Sequence, residues 1–169
     1  EAAIAQCGEP VIVFVERNFK EGDDDVTRYE FVVSFGSEQT PDGAPGGNGV
    51  DVHTLLYFFD TAQDPDSYVP VWSIVTGTSG DDFPRWTGID EDGGYVVNAG
   101  ETDGQWTNEN AAGGVDSFLQ RIDTTVDGNS VVPVVAWIRQ VGSAGHDESV
   151  VGGSTSTSSP LLIGDSSGA

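Results

Sequence analysis

Alternation of apolar and polar residues is the clearest pattern in the chain, and its period is two. From Tyr29 to Phe35 the odd positions are apolar, whereas Glu30 and Ser34 are polar. Successive side chains of a β-strand point to opposite sides, so this segment predicts a strand with one wet face. Val11–Val15 and Leu55–Phe59 are apolar at both parities. Such strands are covered on both sides, by a second layer or by a neighbouring subunit.

Further short apolar segments predict the remaining strands. Tyr68–Thr76 and Val131–Val141 each contain a proline, which removes a backbone donor. Pro70 and Pro133 are therefore expected at an edge, at a bulge or at the start of a strand. Weaker strands are predicted at Tyr95–Asn98, Ser149–Val151 and Leu161–Ile163.

One segment has helical spacing instead. After a glycine-rich turn, apolar residues recur on one helical face, namely Val115, Phe118, Leu119, Ile122 and Val126. Asp127 and Gly128 follow as a stop signal. The spacing predicts a short amphipathic helix near 114–126, with a strand as the alternative.

Together these elements predict an all-β fold, a single antiparallel β-sandwich of seven or eight strands with that one helix. Long connections at 40–49 and 79–94, and the absence of a Cys-Trp-Cys spacing, favour a jelly-roll-like topology over an immunoglobulin-like one. The sandwich domain is expected to span 11–151. Residues 1–10 would form an N-terminal arm, and 152–169 a Gly/Ser/Thr linker with a short C-terminal strand or arm.

Charge sets the expected environment. The chain carries 28 Asp and Glu against Lys20 and five arginines, a formal net charge of -22. Because about 1 M salt shortens the Debye length to roughly 3 Å, this acidity predicts a halophilic protein. A 37% apolar content argues against a disordered acidic chain. Nucleic acid is disfavoured as a partner, and so is direct membrane insertion, because no stretch has the ~20 apolar residues of a spanning helix.

Candidates for catalysis are few. His53 and His146 have no ligand partner at a fixed spacing, and no nucleophile motif is present. The sequence therefore predicts a non-enzymatic protein with no catalytic residue.

Acidic turns raise the question of bound cations. The nearest match to a calcium loop uses Asp90, Asp92 and Glu101, although Tyr95 stands where the loop requires glycine. Acidic turns at 23–25 and 81–82 are alternatives. No organic cofactor is predicted, and Ca²⁺ or other cations from high salt are the expected ligands.

Candidates for contact between copies are Cys7, Arg85, Trp86, Trp106, Leu161, Leu162 and Ile163. Trp86 and Trp106 lie in polar, glycine-rich segments, where a ring caps the core, meets another subunit or stacks on a sugar. Cys7 has no partner within the chain, so it packs as a small residue or bridges two subunits. The C-terminal apolar segment either packs on its own sheet or adds a strand to an adjacent copy.

These features favour a structural subunit of a halophile's virion, such as a capsid protein, or of its cell surface, associating through sandwich faces and terminal arms. In strand count, size and acidity the chain resembles the single jelly-roll capsid subunits of halophilic icosahedral viruses. Its partners would be copies of itself and other structural proteins of the assembly. The chain contains no methionine, so Glu1 is expected to result either from processing, as in secretion or capsid maturation, or from truncated numbering. The alternative is a secreted carbohydrate-binding module that uses Trp86 and Trp106.

Overall fold

A computed structural model of the chain describes residues 9–21, 24–38, 49–60, 70–90, 94–107, 109, 111, 113–127, 130–145, 147–149 and 164–166. Cys7, Asp92 and Leu161–Ile163 lie outside the described residues. The described part is all-β and contains no helix.

The first sheet consists of four strands that follow one another in the chain. They are β1 (Val11–Glu21), β2 (Asp24–Ser37), β3 (Asp51–Asp60) and β4 (Pro70–Thr76), antiparallel and hydrogen-bonded in that order. The alternation in β2 is present, but the predicted wet face is wrong, because the polar parity faces the core. Glu30, Val32 and Ser34 are at most 4% exposed, and Glu30 is paired with Arg17 at 2.6 Å. Val32 pairs with Val13 on β1 and with Leu56 on β3, so the inward-facing rows of the three strands are aligned.

The second sheet repeats this arrangement. Its strands are β5 (Asp82–Ile89), β6 (Tyr95–Thr102), β7 (Asp116–Asp127) and β8 (Ser130–Val141), again antiparallel and in chain order. A short ribbon pairs β9 (Asp147–Ser149) with β10 (Gly164–Ser166). Each sheet is therefore a meander, and the described strands do not show the Greek-key connections that define a jelly roll.

The two sheets pack face to face, which confirms the predicted antiparallel β-sandwich. Side chains from both sheets form the central apolar cluster, namely Val32, Leu56, Trp72, Ile89, Val96 and Ile122. All six are at most 5% exposed.

Polar side chains also cross the core, in what we call the polar layer: Ser34, Thr54, Thr76, Thr87, Asn98 and Gln120. Asn98 on β6 is fully buried, and its Nδ2 donates to Thr54 Oγ1 of the first sheet at 2.7 Å. Asn98 Oδ1 accepts hydrogen bonds from Ser34 Oγ at 3.0 Å and from Thr87 Oγ1 at 2.9 Å. Because an unsatisfied buried polar group costs about 1–3 kcal/mol, these bonds fix which residues of the two sheets face each other.

The prediction of a helix near 114–126 is wrong, because this segment forms the strand β7. Phe118 and Ile122 point into the core and Leu119 points outward, which is the alternation of a strand. β7 pairs with β6 along one side and β8 along the other, with a bulge between Arg121 and Ile122. Pairing on both sides outweighs the local helical spacing.

The prediction of a long connection at 79–94 is also wrong, because the strand β5 lies within this segment. Pro84 falls at a bulge in the pairing of β5 with β6. The two prolines singled out in the sequence follow the expected rule, because Pro70 begins β4 and Pro133 lies in β8, and both strands are sheet edges.

Candidate functional site

The outward side of the first sheet carries a continuous group of apolar side chains, here called the aromatic face. Because Val32 and Leu56 point into the core, the residues on the opposite parity of β1–β3 point away from the second sheet. The aromatic face consists of Ile12, Phe14, Tyr29, Phe31, Val33, Phe35, Leu55 and Tyr57.

Rings on neighbouring strands stack across the aromatic face. Phe14 and Tyr29 have centroids 5.5 Å apart with planes inclined by 22°. Phe31 and Tyr57 are closer, at 4.8 Å and 8°. Cross-strand aromatic pairs of this kind stabilise a sheet and hold its side chains in fixed positions. The rings therefore present a preorganised apolar surface.

Exposure is greatest at the β1 side of the aromatic face. Ile12 is 63% exposed and Phe14 is 58% exposed. Phe14 is paired with Phe31, and Phe31 with Tyr57, so this row carries no carboxylate. The row of Ile12, Val33 and Leu55 carries none either. In a chain with 28 acidic residues, these two rows form a surface with little repulsion toward another acidic protein.

The β1 strand is also an edge of the sheet. It extends over 11 residues and, among the strands that the structure describes, pairs only with β2, so within this set its other side presents unpaired backbone groups. Long edge strands with exposed apolar residues are sites of strand addition by another chain. The aromatic face and this edge are contiguous at Ile12 and Phe14.

The outward side of the second sheet is apolar but covered by its own side chains. Tyr95, Val97, Ala99 and Leu119 are at most 9% exposed and pack with Trp86 and Trp137. The Arg121 guanidinium lies 4.0 Å from the centroid of the Tyr95 ring. Burial, with a contribution from Asp90, raises the pKa of Tyr95 above its ordinary value of 10.0.

The sequence-derived interface residues have different environments. Trp106 is 4% exposed and packs on Phe118, so of the readings offered for this ring the structure favours the core cap. Trp86 is partly buried in β5, and Arg85 beside it is exposed and pairs with Glu101 at 2.7 Å. A shallow pocket of about 210 Å³ adjoins this ion pair and is lined in part by Phe83 and Asp103.

The calcium loop expected from Asp90 and Glu101 is not assembled. Asp90 hydrogen-bonds to Tyr95 at the start of β6, whereas Glu101 lies near the end of that strand and pairs with Arg85. Glu101 is six residues of extended strand, about 20 Å, from Tyr95, the residue to which Asp90 is bonded. Among the described residues, no group of three or more His, Cys, Asp or Glu side chains is placed to hold a metal ion.

Two turns of the same design follow the last strand of each sheet, and the sequence analysis identified only residues 81–82 of the first as an acidic turn. The first turn is 77–82, with the sequence Gly-Thr-Ser-Gly-Asp-Asp, and the second is 142–147, Gly-Ser-Ala-Gly-His-Asp. Thr78 N donates to Asp82 Oδ2 at 2.6 Å, and Gly80 N donates to Thr78 Oγ1 at 3.0 Å. In the second turn Ser143 N donates to Asp147 Oδ2, and Gly145 N donates to Ser143 Oγ.

Each turn packs against an aspartate that begins the third strand of its sheet. A Cβ built on Gly77 would lie 1.9 Å from Asp51 Oδ1, and one built on Gly142 would lie 1.9 Å from Asp116 Oδ1. Only glycine permits these contacts. Asp51, Gly77 and Asp82 correspond to Asp116, Gly142 and Asp147 at one offset of 65 residues, a repeat that could have been found in the sequence.

Burial changes the acidity of the first turn. Neither Asp51 nor Asp82 has exposed surface. Burial raises the pKa of Asp51, although the nearby His53 opposes the shift. Burial also raises the pKa of Asp82 to about 6, against the hydrogen bonds from Thr102 and Thr78 and with a further contribution from Asp51.

The sequence matches no known protein family and no curated protein. Within the described residues, no helix is long and apolar enough to cross a membrane.

Proposed function

We propose that this chain is a structural subunit that associates with copies of itself through the aromatic face, in the virion or on the cell surface of a halophile. The single observation that carries the proposal is the exposure of Ile12 and Phe14 on rows that hold no carboxylate. A contact there would extend the stacking of Phe14 on Tyr29 and of Phe31 on Tyr57 to a second subunit.

Charge favours this face over the rest of the described surface. Two copies with a formal charge of -22 each repel one another, and the repulsion is greatest where carboxylates meet. Molar salt shortens the range of the repulsion without removing apolar attraction. Self-association through rows without carboxylates is therefore compatible with an acidic surface elsewhere.

The area of the aromatic face indicates that a second contact takes part. Three strands about 4.8 Å apart and about 20 Å long give roughly 300 Å² in projection. A stable interface buries about 800 Å² on each partner. The β1 edge and the terminal arms are the candidates for the remainder, with Cys7 and Leu161–Ile163 as proposed contact residues. Trp86 and Arg85 would serve contacts with other structural proteins of the assembly.

A carbohydrate-binding module is the second candidate, and the pocket beside Arg85 and Glu101 is the observation that favours it. Its lining combines the Phe83 ring with carboxylates, as sugar sites do. Burial of Trp106 removes one of the two rings on which that function was expected to depend.

Light scattering in molar salt tests the proposal. We expect a mass of several subunits, or a lattice, at micromolar protein concentration. A monomer that persists as the concentration is raised, and that binds a glycan array, would instead identify the module.

A further inference from the structure

The two turns form an internal comparison within one chain. Ser37 pairs with Asp51 as Thr102 pairs with Asp116, and Val52 pairs with Thr76 as Ser117 pairs with Val141. The surroundings of Asp51 and Asp116 therefore match in backbone pairing, in the glycine that each carboxylate contacts and in the hydrogen bonds of the turn.

The two sites differ in two respects: Asp51 has the outward parity of Leu55 whereas Asp116 has the inward parity of Phe118, and the hydrogen-bond donors are different. Gln140 Nε2 donates to Asp116 Oδ2 at 2.8 Å. The residue at the corresponding position in the first turn is Val75, which has no polar side chain. Both carboxylate oxygens of Asp51 are buried, and neither has a hydrogen-bond partner.

A carboxylate without exposed surface and without a donor is too costly to remain uncompensated. The Asp51 side chain points toward Gly77, and so does that of Asp82. A Cβ on Gly77 would lie 1.9 Å from Asp51 Oδ1 and 3.1 Å from Asp82 Oδ2, so the two oxygens are separated by no more than the sum of these distances. Two oxygens bound to one Ca²⁺ at its usual distances are up to about 5 Å apart, so the spacing fits a shared cation.

We infer that Asp51 and Asp82 hold a divalent cation of the calcium class at the first turn, and that the second turn holds none. Two carboxylates neutralise the charge of such an ion, and carboxylate oxygen is the ligand that Ca²⁺ prefers. Thr78 and Thr102 orient Asp82 through their hydroxyl groups. Backbone carbonyls and water complete the coordination. His53 interacts electrostatically with Asp51, and Asp81 adjoins Asp82 in the chain.

Calcium binding by the chelator-treated full chain tests this inference. In molar KCl, equilibrium dialysis with CaCl₂ should give one tightly bound Ca²⁺ per chain, and the thermal unfolding midpoint should rise with Ca²⁺. In Asp51→Asn the tight site should be lost. The midpoint of this variant in chelator should equal or exceed that of the wild type, because a buried unpaired charge has been removed. Asp116→Asn is the matched control and should retain the site.

A second variant keeps the inference testable if Asp51→Asn does not fold. Val75→Gln supplies at the first turn the amide that Gln140 supplies at the second. We expect this variant to bind Ca²⁺ at least about tenfold more weakly than the wild type, which is the scale on which groups next to metal ligands act. We also expect it to be more stable than the wild type in chelator. Equal Ca²⁺ binding by the wild type, Asp51→Asn and Val75→Gln would mean that the ion associates with the acidic surface, and would overturn the inference. Absence of bound Ca²⁺ from the wild type would overturn it too, and would assign a shared proton to the pair.

Discussion

Asn98 and Thr54 connect the two sheets through a hydrogen bond of 2.7 Å from the amide nitrogen of one to the hydroxyl oxygen of the other. Neither residue has any exposed surface. The same amide group accepts two further hydroxyl hydrogen bonds, from Ser34 and Thr87. Asn98 is therefore the centre of the polar layer, and its removal affects three partners at once.

Replacing Asn98 should destabilise the fold strongly. In Asn98→Ala, the hydroxyl groups of Ser34, Thr54 and Thr87 lose their common partner and a small cavity remains. We expect a loss of about 3 kcal/mol in the free energy of unfolding, measured by urea denaturation at constant molar salt. Asn18→Ala is the control, because Asn18 is exposed and should change stability by less than about 0.5 kcal/mol. Equal losses in the two variants would contradict the role of the polar layer.

The first turn requires glycine at position 77. In Gly77→Ala the new Cβ would lie 1.9 Å from the Asp51 carboxylate, a residue that has no exposed surface. We expect destabilisation of about 2 kcal/mol or more, seen as a lower thermal midpoint. Gly94→Ala is the matched substitution, since its nearest neighbour outside the adjacent residues would be Asp90 Oδ2 at 3.7 Å. A midpoint for Gly77→Ala equal to that of Gly94→Ala would show that the turn tolerates a side chain.

Assembly should depend on the aromatic face. The variant Phe14→Asp introduces a negative charge into the row without carboxylates, and this charge would repel a second acidic copy. The mass measured by light scattering in molar salt should therefore fall to that of a monomer. Val141→Asp is the control, because Val141 is 61% exposed at the edge of the second sheet. It introduces the same charge and should leave the mass unchanged. If both variants assemble as the wild type does, the contact lies elsewhere.

The pH dependence of stability follows from Asp82. Its pKa is raised from 3.8 to about 6, so the folded protein binds this proton more tightly than the unfolded chain does. The associated stability is fully present below pH 3.8 and is lost as the pH rises through about 6. In chelator, Asp82→Asn should lose less stability than the wild type between pH 5 and pH 7.5. Identical pH profiles would show that the proton on Asp82 has no part in stability.

Salt removal should unfold the protein. At millimolar salt the Debye length exceeds about 30 Å, so most of the 28 acidic side chains repel one another. We expect the near-ultraviolet circular dichroism of the buried Trp72 and Trp106 to disappear on dialysis, and to return in part with divalent cations or at low pH. Full tertiary structure in dilute neutral buffer would contradict the proposed adaptation to brine.

The sequence predicts the positions of the strongly apolar strands, but in β2 it assigns the wrong side to the core. Tyr29–Phe35 lies within β2, Val11–Val15 within β1 and Leu55–Phe59 within β3. The apolar character of both parities in β1 and β3 also predicts a second covered side. The aromatic face lies on that side, and Ile12 and Phe14 are exposed there. Its exposure depends on which face the second sheet covers, which local sequence does not determine.

The helix predicted at 114–126 and the connection predicted at 79–94 are errors with a common cause, which is the polar layer. β5 and β7 place Thr87 and Gln120 on the inward row, where an apolar residue would have completed the alternation. Without that alternation, the segment that contains Gln120 displayed helical spacing and the segment that contains Thr87 resembled a loop. The Thr87 hydroxyl and the Gln120 amide oxygen are hydrogen-bonded to side chains of other strands, and a local pattern does not contain that information.

The pairing of Asp51 with Asp82 at the first turn was not predicted, for a different reason. Asp81 and Asp82 were noted as an acidic turn, but the partner Asp51 is distant in sequence, and the pair forms only when β3 and β4 align. A clearer signal in the sequence is the glycine beside each aspartate, which is Gly77 in the first turn and recurs as Gly142 in the second.

The sequential order of the strands determines which surfaces exist during synthesis. The first sheet is complete once Thr76 has been made, whereas the strands that cover its inner side end at Val141. At ordinary translation rates of about 5–20 residues per second, both sides of the nascent sheet remain bare for roughly 3–13 s. During that interval the growing polypeptide exposes more apolar surface than the finished subunit does, so the ribosome-bound stage is when it most needs protection by chaperones.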